Sequence, residues 1–249
     1  MVRQILTGVL LLAGLAVFVG LGLWQVQRMV WKDAVLAQLE ARIAGDPVAL
    51  PAVPDPEDDR YLPVTLDGEI GEGELHVLVS SRDFGAGFRI IAPFTTGEGR
   101  RIMVDRGYVP TAMKDAARET GMMRVTGNLH WPDERDAYTP ADDPEGNWWY
   151  ARDVAKMARA LGTEPVLVIA RAPTDPQVLA LPVSAEAIPN DHLGYAATWF
   201  LLAASWVVMT GYALWRIRRR AAAGDGETAQ RARVRQDVDS RDEGRGEGR

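Results

Sequence analysis

The 249-residue chain has no cysteine, which excludes disulfides, thiol redox chemistry and thiolate metal ligation together. Histidine is scarce as well. His76, His130 and His192 are the three present, and they are scattered, whereas copper trafficking calls for clustered Cys, Met or His. No GxSxG nucleophile elbow occurs, and the segments GEGEL and GAGFR match neither a Walker A loop nor a GxGxxG turn before a helix. Those glycines read as hairpin turns. Acidic groups are plentiful, yet Asp55, Glu57, Asp58 and Asp59, like Asp142, Asp143 and Glu145, lack calcium-loop spacing and read as solvated loop edges. An envelope hydrolase working through Asp133 and Asp136 lacks a positioned partner group in the sequence.

What the chain does have is two long apolar runs. Ile5 to Trp24 (ILTGVLLLAGLAVFVGLGLW) and Ala196 to Trp215 (AATWFLLAASWVVMTGYALW) are each uncharged over about twenty residues, the length a helix needs to cross hydrocarbon. The first is long for a signal-peptide core and ends in WQVQR with no small-residue cleavage site, so it reads as an uncleaved anchor. Arg216, Arg218, Arg219 and Arg220 follow the second run directly, and basic residues near span ends stay on the cytoplasmic side. The C-terminus is therefore expected inside. Two spans put the N-terminus inside too, against the local opposition of Arg28 and Lys32. The stretch between the spans, about 165 residues and long enough for a packed core, is expected to be exported.

From Met29 to Trp215 there are 16 Lys and Arg against 27 Asp and Glu, a balance that argues against nucleic acid as a partner. The tail is basic, poor in apolar residues and expected to be disordered. The organisation read from sequence is an anchor over 1–28, an exported β-rich domain over 29–191, a second transmembrane helix over 192–215 and a cytoplasmic tail over 216–249. Within the domain, Val35, Leu36, Leu39 and Ile43 recur at helical intervals and continue the first span as a stalk until Gly45-Asp46-Pro47. Short β-rich runs follow: YLPVTLDGEI, ELHVLVSS, FRIIAPF, RRIMVDRGYVP, MRVTGNLH and later PVLVIA. DVAKMARALG places Val154, Met157, Ala158 and Leu161 on one face, with Gly162 as its stop. The fold class is α+β: two transmembrane helices flanking a mainly antiparallel sheet or partly closed barrel with one or two packing helices.

Four separated segments carry a resemblance: GLGLWQVQRMVWK, GFRIIAPFTTGEGRRIMVDRGYVP, NWWYARDVAKMARALG and NDHLGYAATWFLLA. In order and spacing they resemble the surfeit locus protein 1 family, over roughly residues 15 to 215. The resemblance implies a non-enzymatic, membrane-bound assembly factor for haem-copper cytochrome c oxidase, a chaperone of respiratory chain biogenesis that receives or stabilises haem a. Its implied partners are the catalytic subunit of the oxidase, the lipid bilayer and, further off, haem a synthase. The short basic start without an Arg/Ser-rich presequence fits a bacterial inner membrane.

His192 stands at the mouth of the second span, on the interface where the first span ends in Trp24, Gln25 and Arg28. On a helix His192, Tyr195 or Ala196, Trp199 and Ala203 share one side, a face against which a flat apolar macrocycle fits. Imidazole ligates haem iron, and Arg28 suits a propionate at the wet boundary. The cofactor candidates are accordingly His192, as iron ligand, with Arg28, Tyr195, Trp199, Trp24 and Gln25. The residues alone leave a second reading open: an interfacial anchor on a membrane-tethered scaffold without haem, since His, Tyr and Trp are at home in the headgroup zone. Trp24, Trp31, Trp148 and Trp149 read as membrane or core residues, His76 and His130 as ordinary histidines, and Arg106 as a structural charge.

Overall fold

The computed structural model describes residues 2–81, 83–185, 188 and 190–246, and of residues 2–4 and 221–246 it describes the backbone alone. The chain divides into a helical unit, residues 1–33 with 190–249, and a β unit, residues 34–189.

The helical unit pairs the start of α1 (Val2–Ile43) with α3 (His192–Gly246). Their contacts run in opposite sequence order. Trp206 Nε1–H donates to the Leu11 carbonyl (2.9 Å), Phe18 stacks on Trp199 (6.2 Å), and Asn190 Nδ2–H donates to Asp33 Oδ1 (2.5 Å), so the helices are antiparallel. Two glycines allow the approach. A Cβ on Gly14 would lie 2.8 Å from the Trp206 ring, and one on Gly22 would lie 2.7 Å from the Phe200 ring. Ala196 and Ala203 are buried on the α3 side of this seam, whereas Ile5, Leu6, Leu10, Val17, Leu201, Val208 and Met209 are exposed. An apolar surface of that extent on two helices long enough to span needs hydrocarbon around it.

α1 continues without a break to Ile43, as the helical spacing of Val35, Leu36, Leu39 and Ile43 predicts. The α3 backbone is helical to Gly246. Proline is missing from the whole segment, and its Ala and Arg favour helix, while Gly224 and Gly226 disfavour it.

The β unit holds a seven-stranded sheet: β1 (Val48–Ala49), β2 (Pro63–Ile70), β3 (Leu75–Ser81), β4 (Gly85–Thr96), β5 (Arg101–Pro110), β6 (Gly121–Leu129) and β7 (Leu167–Ala170), in the order β1-β2-β6-β7-β5-β4-β3. An additional antiparallel pairing of Gly68–Ile70 in β2 with Phe94–Thr96 in β4 closes β2, β6, β7, β5 and β4 into a small barrel. A register shift between Ile90 and Ile91 interrupts the β4–β5 ladder. Pairing is antiparallel except for β1 with β2 and β5 with β7.

Alternation along the strands separates the two larger of three buried clusters. Ile102 and Val104 of β5 join Val64, Leu66, Phe94, Val125 and Val168 in one cluster, while Met103 between them joins Ile91, Leu167 and Trp149 in another. The second is covered by α2 (Val154–Leu161), which buries Val154, Met157, Ala158 and Leu161, the four residues whose spacing predicts that face. Asp153 caps its start by accepting from Lys156 N–H (3.0 Å), and Gly162 ends it at φ 63°, a left-handed conformation glycine adopts without Cβ strain.

Candidate functional site

His192 lies in the first turn of α3, where Tyr195 N–H donates to the Asp191 carbonyl (3.3 Å). Its ring reaches α1: Nδ1 lies 2.7 Å from Gln25 Oε1, at hydrogen-bond distance. Arg28, one turn further along α1, holds its guanidinium 4.1 Å from the centre of the Trp31 ring, a cation–π contact that leaves the side chain exposed. Asp33 and Asn190 close the same end of the pair.

The sequence candidates thus sort by position. His192 and Gln25 meet directly. Trp199 lies on the seam, but its ring is stacked on Phe18, and Ala196, not Tyr195, takes the buried place between them. Tyr195 (59 % exposed) and Trp24 (53 %) lie off the seam. The apolar side below the imidazole is not the open face expected from α3 alone, because Phe18 and the Gly22–Phe200 approach fill it with α1.

The other histidines belong to the β unit. His76 is buried, its Nε2 2.7 Å from Glu74 Oε1, which also takes Arg118. His130 stacks on Tyr61 at 5.1 Å between centroids. Burial pushes its pKa down to about 4, and the charges of Arg152 and Arg60 add to the effect. Among the described residues no group of three or more His, Asp or Glu is placed to hold a metal ion.

Sequence reading missed a buried charge cluster beside His130. Asp105, fully buried, accepts from Arg89 Nη1 (2.5 Å), Arg152 Nη1 (3.3 Å) and Gly107 N–H (3.1 Å), and Arg152 also forks onto Glu134. Burial alone would raise the Glu134 pKa, but the hydrogen bond and charge of Arg152 hold it below the usual carboxylate value. Arg106, 1 % exposed, donates through Nε to Thr174 Oγ1 (2.9 Å) and through Nη2 to the Thr174 carbonyl (3.1 Å), and burial lowers its pKa. The visible signal was Asp105-Arg106 itself, two adjacent charges inside the apolar run RRIMVDRGYVP. Trp149 is core, and Trp148, part-buried, packs edge-on to Phe88 at 4.9 Å. The acidic loops are self-structured: Asp55 accepts from the backbones of Glu57 and Asp58, and Asp136 from that of Tyr138.

The sequence matches the SURF1 family model over residues 12–204, more than three quarters of the chain and inclusive of Gln25, His192 and the whole β unit. The chain belongs to the SURF1 family. It is 32 % identical to Surfeit locus protein 1 of Homo sapiens over 224 residues, 79 % of this chain and 73 % of the human protein. Against Surfeit locus protein 1 of Mus musculus the identity is 31 % over 212 residues, 75 % of this chain and 68 % of the mouse protein. A SURF1-like protein of Monosiga brevicollis is 31 % identical over 212 residues, 76 % of this chain and 80 % of its own length. The SURF1 family is known for assembly of cytochrome c oxidase, and its members are not known as enzymes. With two apolar helices of spanning length, this SURF1 chain is a membrane protein. Residues beyond 204, the end of the second apolar run and the tail, lie outside the family match.

Proposed function

We propose that this chain steadies haem a at the membrane surface while the catalytic subunit of cytochrome c oxidase takes it up, with His192 as an axial ligand of the iron. The observation that carries the reading is the cross-helix pairing of His192 with Gln25: an imidazole at a span end, held in one orientation by a neutral amide, is how a metal-binding histidine is commonly prepared. Arg28 is exposed nearby and carries the charge a propionate needs. Bound haem would bring an iron that accepts a ring nitrogen, and the packed seam leaves the macrocycle the outward side beside Tyr195 and Trp24. Both termini are cytoplasmic and the β unit is exported, in a bacterial inner membrane, because the arginines after Trp215 retain that end. Haem a synthase is the source of the cargo in this reading.

Deleting the protein is expected to lower the haem a content and activity of haem a oxidases while oxidases without haem a stay near normal. Equal loss across all respiratory complexes would favour the scaffold reading, which draws its support from the closed seam beneath the imidazole.

A further inference from the structure

We propose that Gln25 is a positioning residue that selects the tautomer of His192, so that the imidazole presents the lone pair of Nε2. The argument begins with donor chemistry. An amide oxygen has lone pairs and no proton, so the 2.7 Å contact between Gln25 Oε1 and His192 Nδ1 requires the hydrogen on Nδ1. A neutral ring with its proton on Nδ1 has its lone pair on Nε2. Free histidine in water favours the opposite form, with the proton on Nε2, so the contact reverses the intrinsic preference.

Gln25 is well held for this task. Gly22, one turn before it, is in close approach to Phe200, and Asp33, two turns beyond, is bonded to Asn190, so the seam fixes α1 on both sides of the amide. Glutamine is also the suitable acceptor. Its amide is neutral and does not take up the proton, whereas a glutamate in its place would pull Nδ1–H strongly and give the ring imidazolate character. The tautomer claim stands on this contact alone. Its consequence for iron rests on the haem reading above: Nε2 becomes the ligating nitrogen, and Gln25 sets its basicity from the second layer.

The test uses the full chain, labelled with 15N-histidine, in lipid nanodiscs at a pH where the imidazole is neutral. Long-range 1H–15N spectra distinguish the two tautomers, and loss of one spin system in His192→Gln assigns the signal. Wild type is expected to show protonated Nδ1, Gln25→Leu to revert mainly to protonated Nε2, and Gln25→Glu to keep protonated Nδ1. Protonated Nε2 in wild type, or a Gln25→Leu spectrum identical to wild type, overturns the proposal.

Titration with iron protoporphyrin IX supplies the second arm. Gln25→Leu should bind about tenfold more weakly, the lower end of what loss of such a contact costs in metal affinity. Gln25→Glu should bind and shift the midpoint potential downward, because an electron-richer imidazole favours ferric iron. Equal affinity and potential in all three proteins would overturn the role toward iron. If wild type binds no haem while the tautomer result holds, the haem reading falls and the control of His192 by Gln25 stands.

Discussion

Asp105 is the residue whose loss should be felt most in the β unit. It is fully buried and neutralises Arg89 and Arg152, whose side chains are themselves largely buried. Asp105→Ala leaves both guanidiniums without that carboxylate, and removing one partner of a buried pair costs about 3–5 kcal/mol. Denaturant unfolding of the full chain should show a loss of that order. His130 makes a pH prediction of opposite origin. Its folded pKa, about 4, lies below its ordinary value of 6.5, so between those values the unfolded chain binds more protons than the folded one. Stability therefore falls as pH drops from about 6.5 toward 4, and His130→Phe, which keeps a ring against Tyr61, should flatten that part of the profile in pH-dependent melting. Neither effect was legible beforehand. Asp105 meets partners 16 and 47 residues away, and only strand register and the chain before α2 bring them together. That His192 stands four residues before an apolar run could be read without knowing the fold, whereas its contact with Gln25, 167 residues away, could not.

At the scale of elements, the helical pair can be checked with the cysteines the chain lacks. Asp33 and Asn190 have short side chains that bond at 2.5 Å, so the double variant Asp33→Cys, Asn190→Cys should crosslink within one chain under mild oxidation, with no native thiol to compete. A failure to crosslink in membranes would contradict the antiparallel register. α2 depends on its ends, and Asp153→Ala should cost roughly 1 kcal/mol through the lost cap, read as a lower melting midpoint. The stalk, α2 and the six longer strands could be read from spacing, since each repeats its apolar residues at a local period. The seam could not. Gly14 and Gly22 look like any small residues in an apolar run until Trp206 and Phe200 are known to lie against them. The same loss of context explains Tyr195 and Ala196, which α3 alone offers equally and which α1 separates into an exposed and a buried position.

For the whole molecule, sequence pattern indicated an antiparallel sheet tending to a barrel, and the closure itself depends on three residue pairs between β2 and β4, a non-local contact that no strand announces. Sidedness is tested by reporter fusions: those after Gly162 should report export and those after Ala223 a cytoplasmic location, because the arginines following Trp215 hold that end inside. The reverse pattern would remove His192 from the exported interface. Haem retention is the remaining question, and one preparation addresses it: the full chain coexpressed with a haem a supply, purified from membranes, as wild type and as His192→Ala. Wild type should copurify with haem a, and His192→Ala should be membrane-inserted and folded with much less haem or a displaced Soret band, with His76→Ala and His130→Ala retaining it. Unchanged haem occupancy and an unchanged spectrum in His192→Ala would contradict the ligand assignment, and leave His192 an interfacial anchor.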